Sequence, residues 1–185
     1  MSPIQGTKTE QNLLKAFAGE SQASSRYTDA AFQAAKEGHE HVAAFFEEIA
    51  KQEKIHAEQF AACLETEPHE IPTAHSAAGS TLSTEENLRA AITGEHEEWK
   101  NVYPEFARIA KEEGFIDISQ LFINIASVEK QHEKRYLGFL QSLTDGTKYQ
   151  WRCRNCGFIS STPTAPHVCS ICKMPREWFE IFADD

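Results

Sequence analysis

Apolar residues recur at three- and four-residue steps through the first third of the chain, which is the pattern of amphipathic helices. Residues 9–66 contain no proline, and Gly38 stands where a helix would end. The pattern therefore predicts two helices joined by a tight turn at Gly38. The periodicity is carried by Phe17, Ala31, Phe45, Phe46, Ile49, Phe60 and Leu64.

A change in composition separates this region from a second helical one. Residues 67–83 are rich in proline, serine and glycine, and we expect them to form a connecting loop. Residues 83–86 (Ser-Thr-Glu-Glu) match a capping box that would open a third helix. We expect this helix to run to Gly114, with a kink at Pro104.

A fourth helix is expected over residues 115–143, ended by the Thr-Asp-Gly of residues 144–146. Four long helices with one long crossover between the second and the third are typical of an all-α ferritin-like four-helix bundle. The sequence therefore predicts such a bundle over residues 1–146, followed by a small separate domain over residues 147–185.

The two halves of the predicted bundle resemble each other. A shift of 76 residues aligns Tyr27 with Tyr103, Gly38 with Gly114, Phe46 with Phe122, Ile49 with Ile125, Glu53 with Glu129 and His56 with His132. Glu20 aligns with Glu95 only at a shift of 75, so the third helix contains one extra residue between Glu95 and Tyr103. We expect a π-bulge there, because such bulges accommodate an extra residue and often mark functional sites. Glu98 lies in this interval.

Glutamate and histidine recur at metal-ligand spacing on the predicted helices. A Glu-x-x-His pair on each of two helices, with one Glu from each of the other two, builds a di-iron carboxylate core. A single such pair is usually a solvated face, but both pairs here lie in apolar runs, and burying six such groups without a metal would cost too much desolvation. The predicted metal ligands are Glu20, Glu53, His56, Glu95, Glu129 and His132.

Other polar residues of the bundle receive less specific interpretations. Tyr27 follows Glu20 by seven residues and is expected to donate a hydrogen bond to a ligand carboxylate, with core packing as the alternative. Cys63 lies among apolar residues and is interpreted as a small buried hydrophobe. We interpret as solvated the carboxylates of Glu47, Glu48, Glu58, Glu97, Glu112 and Glu113.

Four of the five cysteines form two Cys-x-x-Cys pairs near the end of the chain, separated by twelve residues. In a reducing compartment this spacing predicts a tetrathiolate metal site rather than disulfides, formed by Cys153, Cys156, Cys169 and Cys172. Spacing alone leaves zinc and iron open, and a redox-active bundle in the same chain favours iron. The small hydrophobic core of this metal-stapled domain is expected to contain Tyr149, Trp151, Phe158, Trp178 and Phe179.

Composition narrows the function classes. Among 185 residues, 28 acidic against 18 basic side chains give a net charge of −10, which argues against nucleic-acid binding. No run of about 18 apolar residues is present, so no membrane span is expected. The first twenty residues lack the apolar core of a signal peptide, and we expect a cytoplasmic protein.

Together these motifs resemble the rubrerythrin family over essentially the whole chain. The residues that carry the resemblance are Glu20, Glu53-Lys-Ile-His56, Glu95-x-x-Glu98, Glu129-Lys-Gln-His132, Cys153-Arg-Asn-Cys156-Gly157, Cys169-Ser-Ile-Cys172 and Trp178-Phe179-Glu180. The resemblance implies a ferritin-like di-iron bundle with a rubredoxin-like domain that holds one iron. It implies a peroxidase that reduces hydrogen peroxide to water in oxidative-stress defence, with electrons relayed through the FeS4 centre.

The resemblance also implies roles for individual residues. Glu20 and His56 would bind one iron, Glu95 and His132 the other, and Glu53 and Glu129 would bridge them. Glu98 would bind the first iron in the oxidised state, with His56 in its place after reduction. Independently of the resemblance, we expect Tyr27 or Tyr103 to stabilise a bound oxygen species by hydrogen bonding.

Partners and departures follow from the same resemblance. The electron donor would be a rubredoxin or an NAD(P)H-dependent reductase, and the working unit a homodimer or a higher oligomer with electron transfer between chains. Many family members have proline in place of Ser170 and glycine in place of Lys173. Because glycine eases a left-handed backbone, Lys173 implies strain or a different turn.

Two other function classes remain open. A ferritin-like ferroxidase would store or oxidise iron in the same bundle, and a zinc-stapled adaptor would use the bundle only as a scaffold. An iron-storage shell needs no FeS4 donor, whereas a two-electron peroxidase does. The tail therefore favours the peroxidase.

Overall fold

The computed structural model describes residues 4–64, 82–145, 149–162 and 165–182. Most of the loop expected over 67–83, and Gly146, lie outside these residues. The chain divides into two compact units, Met1–Leu137 and Gly138–Asp185, and the last helix of the bundle continues from the first unit into the second.

The helices form the predicted bundle, whose last helix crosses the division after Leu137, and the predicted domain boundary at residue 146 stays a prediction. The helices of the bundle are α1 (Lys8–Lys36), α2 (Glu40–Ala62), α3 (Thr84–Glu97), α4 (Tyr103–Glu112) and α5 (Ile116–Asp145). Helices α3 and α4 are joined without interruption by a π-helical segment and together form the third helix of the bundle. The predicted ends differ by about two residues, because α4 stops at Glu112 rather than Gly114 and α5 covers 116–145 rather than 115–143.

The two short turns of the bundle are built on glycine. Gly38 and Gly114 have φ angles of 83° and 88°, which side chains with a Cβ rarely adopt. The amide of each donates to the helix that has just ended, and the chain reverses within three residues. Gly38 thus joins α1 to α2 as predicted, and its repeat partner joins α4 to α5.

The extra residue of the second half is accommodated by a π-helix, Glu98–Val102, as predicted. The amide of Tyr103 donates to the carbonyl of Glu98, five residues back. Pro104 follows in the first turn of α4. The indole Nε1 of Trp99 donates to Oε2 of Glu133 at 2.5 Å, which attaches the π segment to α5.

The two halves cap each other's first helix. Glu113 accepts from the amides of Lys8 and Thr9 at 3.1 and 2.8 Å, at the start of α1. Its repeat partner Glu37 accepts from the amide of Thr84 at 3.0 Å, at the start of α3. Carboxylates at these positions satisfy free amides and interact well with the helix dipole. The interpretation of Glu113 as a merely solvated charge is therefore wrong.

The predicted capping box at the start of α3 is confirmed. Oγ of Ser83 accepts from the amide of Glu86, and the Glu86 carboxylate accepts from the amide of Ser83.

Aromatic clusters pack between the helices towards both ends of the bundle. At one end Phe60, Tyr103 and Phe122 stack with ring centroids 5.0–6.0 Å apart. At the other end Tyr136 lies 4.9–5.5 Å from Phe45, Phe46 and Tyr27. Each such ring buries a large apolar area. The polar site described below lies between these clusters.

Cys63 lies just beyond the end of α2 and is only half-buried, not fully buried as expected. Burial still raises the pKa of its thiol. It packs at the margin of the cluster around Phe60 and Tyr103.

The second unit contains a three-stranded antiparallel sheet with strand order β2-β1-β3. Its strands are β1 (Tyr149–Cys153), β2 (Ile159–Thr162) and β3 (Phe179–Phe182). Trp151 and Phe179 are buried as predicted, but Phe158 is only half-buried and Trp178 is 41% exposed. Trp178 is therefore not a core residue, and the guanidinium of Arg154 lies 6.0 Å above its ring. The side chain of Tyr149 lies outside the described residues.

Within the described ranges, no helix is both long enough and apolar enough to cross a bilayer.

Candidate metal centres

Six predicted ligands from four helices meet in the middle of the bundle. They form two overlapping groups whose candidate ligand atoms lie within 4.8 Å of one another. One group contains Glu20, Glu53, His56 and Glu129, and the other contains Glu53, Glu95, Glu129 and His132. Glu53 and Glu129 belong to both groups, which is the arrangement of two carboxylates that bridge a pair of cations. We call these six residues the paired site.

The donor set of the paired site fits two metal ions. Its four carboxylates are at most 1% exposed. Five of their oxygens and Nδ1 of His132 make no hydrogen bond of acceptable geometry. Unpaired charges at such depth carry a large desolvation cost, which two divalent cations would remove by balancing four negative charges. Carboxylate and imidazole ligands suit iron and related transition metals.

Electrostatic interactions in the paired site are strong. Burial, and then the charges of Glu129 and Glu53, raise the pKa of Glu20 well above its ordinary value. Burial opposes a charge on His56, but its contacts with Glu129 and Glu53, at 2.9 and 2.8 Å, outweigh it and raise the pKa to about 9. Burial likewise opposes a charge on His132, while its carboxylate neighbours raise that pKa to about 12. The metal-free site therefore holds protons where metal ions would bind.

Each half of the repeat sends a tyrosine hydroxyl to a carboxylate of the other half. Tyr27 donates to Oε1 of Glu95 at 2.5 Å, and Tyr103 donates to Oε1 of Glu20. Burial, and then these carboxylates, raise the pKa of both phenols well above 10, so both remain protonated donors. Tyr27 thus donates to a ligand carboxylate as predicted, and that carboxylate belongs to Glu95 on another helix of the bundle.

Glu98 lies beside the paired site and is not a member of either group. Its Oε1 is 4.0 Å from the point where a Cβ on Gly19 would lie. Burial, and then the charges of Glu129 and Glu53, raise its pKa to about 8. The structure therefore brings His56 into the first group and leaves Glu98 beside it.

A cavity of about 340 Å³ reaches the outer side of the two histidines. It is lined by Gln52, His56, Val128, Gln131, His132 and Arg135. Nε2 of His132 lies 2.8 Å from Oε1 of Gln52. The predicted site residues do not include Gln52, although its mismatch with Val128 in the repeat is visible in the sequence.

The four clustered cysteines form a second centre in the second unit, as predicted. Their sulfurs lie within 4.8 Å of one another, and Sγ of Cys153 and Cys172, like Sγ of Cys156 and Cys169, are 3.6 Å apart. These distances exclude disulfides and are close to the roughly 3.8 Å edge of a tetrahedron around a metal with bonds of about 2.3 Å. The arrangement fits one tetrahedrally bound iron.

Two equivalent turns carry these cysteines. Gly157 and Lys173 follow the second cysteine of each pair. Their amides donate to the carbonyl oxygens of Cys153 and Cys169, the first cysteine of each pair, at 2.8 and 3.0 Å. Both are left-handed, with φ angles of 74° and 60°. The strain expected at Lys173 is confirmed. Its turn has the same hydrogen bond and the same left-handed backbone as the turn at Gly157, so a lysine occupies a conformation that favours glycine.

The fold and the two centres define a class of protein: a ferritin-like di-iron carboxylate protein with a rubredoxin-like tetrathiolate iron unit. The comparisons with known proteins agree. The family described as rubrerythrin matches residues 11–140, and the family described as the rubredoxin-like domain of rubrerythrin matches residues 151–180. The chain belongs to the rubrerythrin family.

Individual relatives cover almost the whole chain. A rubrerythrin of Porphyromonas gingivalis is 50% identical over 96% of this chain and 91% of its own length. A rubrerythrin of Nitratidesulfovibrio vulgaris is 42% identical over 98% and 97%. A solved structure of nigerythrin in its fully reduced, all-ferrous state is 30% identical, covers 97% of this chain and 92% of its own, and superimposes with a TM-score of 0.67.

Proposed function

We propose that this protein reduces hydrogen peroxide to water in defence against oxidative stress. The supporting observation is that one chain combines the paired site, with its two shared carboxylates, and a tetrathiolate iron unit. The family is one of oxidoreductases, and the two centres suit a reaction that takes up two electrons. Written in full, hydrogen peroxide, two electrons and two protons give two molecules of water. Two ferrous ions in the paired site would supply both electrons in a single two-electron step, without release of radicals.

Each residue of the paired site has a distinct part in this proposal. Glu53 and Glu129 would be shared by the two ions, and Glu20 and Glu95 would each bind one of them. Tyr27 and Tyr103 orient these carboxylates through hydrogen bonds and could donate to a bound oxygen atom.

Glu98 and His56 exchange places at the first iron in this proposal. His56 would bind in the reduced state and Glu98 in the oxidised state. The position of His56 inside the first group, with Glu98 beside it, supports an arrangement of the reduced kind.

The proposed working unit is a dimer or higher oligomer in which electrons pass from the tetrathiolate centre of one chain to the paired site of another. Val168 and Ile171, beside the cysteines, are 53% and 66% exposed and offer an apolar surface to a second copy. A rubredoxin or an NAD(P)H-dependent reductase would supply the electrons, and the proposed location is the cytoplasm.

The primary test is anaerobic peroxide turnover by the iron-loaded protein with a chemical reductant. We expect two electrons to be consumed for each peroxide, and no stoichiometric hydroxyl radical after rapid mixing of the reduced protein with peroxide. Radical in stoichiometric yield, or no turnover, would contradict the proposal. A red oxidised tetrathiolate centre separates iron from colourless zinc, and ferrous oxidation by oxygen with mineral formation would instead favour a ferritin-like ferroxidase.

Subunit exchange tests the path between chains. Cys153→Ser removes the tetrathiolate centre and Glu53→Ala removes the paired site, so each variant alone should be inactive. A mixed dimer would contain one intact centre of each kind on opposite chains, and activity should return. No recovery, with exchange confirmed by mass, would mean that each chain reduces its own site.

A further inference from the structure

The two histidines of the paired site are held differently, although they occupy equivalent positions in the repeat. Nε2 of His132 is 2.8 Å from Oε1 of Gln52. Gln52 aligns with Val128, whose aliphatic side chain can accept no hydrogen bond. Within the described part of the chain, no hydrogen-bond partner is found for Nε2 of His56, which lines the cavity together with Val128.

The orientation of the Gln52 amide follows from its other contact. Nε2 of Gln52 donates to Oε1 of Glu48 at 3.3 Å. Because a carboxylate only accepts, the amide nitrogen must face Glu48 and the amide oxygen must face His132. Nε2 of His132 therefore carries a proton, and Nδ1, which faces Glu53, Glu95 and Glu129, is the nitrogen that would bind a metal ion in place of its own proton.

Glu48 is itself held in place. Arg135 donates to both of its oxygens, at 2.8 and 3.2 Å, across the gap between α5 and α2. The repeat partners of Glu48 and Arg135 are Asn124 and Gln59, so no such ion pair exists on the side of His56. Among the residues that the structure describes, the support from Arg135 through Glu48 and Gln52 reaches His132 and not His56.

We propose that Gln52 is a positioning residue that anchors His132 on its iron and so determines that His56 is the histidine that can leave. A ligand whose outer nitrogen is hydrogen-bonded keeps its tautomer and ring orientation. A ligand that faces a cavity and an aliphatic side chain can rotate away when a carboxylate replaces it. This inference deepens the proposed function, because it rests on the exchange between His56 and Glu98.

The test measures exchange of the imidazole N–H protons with solvent by ¹⁵N NMR, in the full chain loaded with zinc, which is diamagnetic and redox-inert. We expect the Nε2–H of His132 to exchange about tenfold more slowly than that of His56, the effect of one buried hydrogen bond. Gln52→Val, which copies the other half of the repeat, should abolish the difference. Gln52→Glu should keep it, because a carboxylate also accepts.

Zinc affinity provides a second measurement. Gln52→Val should weaken binding of one of the two zinc ions of the paired site by about 10- to 100-fold. Gln131→Val is the matched control, since Gln131 lines the same cavity but donates to the carbonyl of Ser127 at 3.3 Å, and it should change neither measurement. Should Gln52→Val fail to fold, Gln52→Met keeps the side-chain length and tests the same loss.

Equal exchange rates for the two histidines in the native chain would overturn the proposal. Gln52→Val or Gln52→Met with unchanged exchange and affinity would also overturn it. Neither measurement uses peroxide. Absence of peroxide turnover would therefore contradict the proposed function only. The N–H exchange and zinc-affinity measurements would still test the role of Gln52.

Discussion

Glu98 has no counterpart in the first half of the repeat, because the residue 75 positions before it is Ala23. None of the six residues of the paired site changes when Glu98 is removed. We therefore expect Glu98→Ala to retain two iron ions but to lose most peroxide turnover, by about 10- to 100-fold, the usual effect of a lost partner at a metal. Metal analysis and steady-state turnover measure the two quantities.

The neighbouring Glu97 is exposed, so Glu97→Ala is the control and should be nearly as active as the native chain. Native turnover in Glu98→Ala would show that Glu98 is only a charge near the site.

Lys173 tests backbone strain at the tetrathiolate centre. A left-handed residue with a Cβ costs about 1–2 kcal/mol, whereas glycine adds about 0.5–1 kcal/mol of entropy cost on folding. We expect Lys173→Gly to be neutral or slightly stabilising and Lys173→Val to be destabilising, as a β-branched side chain suits this conformation least. The temperature at which the red colour is lost measures the stability of both variants. An equal effect of the two substitutions would contradict backbone strain at this position.

At the scale of single elements, the π-helix Glu98–Val102 decides how two parts of one helix are oriented. It keeps Glu95 in register with Glu20 before it and Tyr103 in register with Tyr27 after it. Deletion of the exposed Asn101 should restore a regular helix and rotate these two parts relative to each other. We expect helical content to persist by circular dichroism while metal affinity and peroxide turnover fall, and Asn101→Ala to change neither.

A variant lacking Asn101 that still bound two metals and turned over peroxide at the native rate would mean that the π-helix has no role in the site.

The π-helix could be predicted because an inserted residue changes the alignment of the two halves: equivalent residues are 75 positions apart before it and 76 after it. The paired site could be predicted for a related reason: Glu-x-x-His spacing places both ligands on one face of a helix. Gln52, Glu37 and Glu113 could not be assigned from spacing. Their roles depend on which helix lies opposite, and sequence periodicity does not encode that. The exposure of Trp178 was mispredicted because aromatic residues in a very small domain were assumed to be internal.

At the scale of the whole molecule, the buried charges make the stability of the metal-free protein depend on pH. His56 and His132 have folded-state pKa values of about 9 and 12 against an ordinary value of 6.5. The contribution of each histidine is complete below pH 6.5 and is lost as the pH rises through its folded-state pKa, about 9 for His56 and about 12 for His132. Glu98, raised from 4.5 to about 8, acts in the same direction. Glu53 acts oppositely: burial opposes its charge, but contacts with His132 and His56 lower its pKa to about 2, so its contribution is lost as the pH falls below 4.5.

We therefore expect the metal-free protein to unfold more easily as the pH rises from 6.5 to 9. The zinc-loaded protein should show the opposite trend, because metal ions compete with protons for these ligands and bind more tightly as the pH rises. Urea unfolding at a series of pH values measures both trends. Parallel curves for the two forms would contradict the electrostatic description of the paired site.

The reciprocal caps, Glu113 on α1 and Glu37 on α3, are the contacts that two identical subunits make across a twofold axis: one residue serves the partner, and its equivalent serves in return. A helical hairpin with Glu20, Tyr27, Glu53 and His56 would need only a second copy of itself to complete a two-metal site, and joining the copies in one chain freed each to change alone. A symmetric dimer cannot have Gln52 beside one histidine and valine beside the other, or Glu98 in one half and alanine in the other. The proposed division of labour between the two metals therefore requires two halves that differ in sequence within one chain.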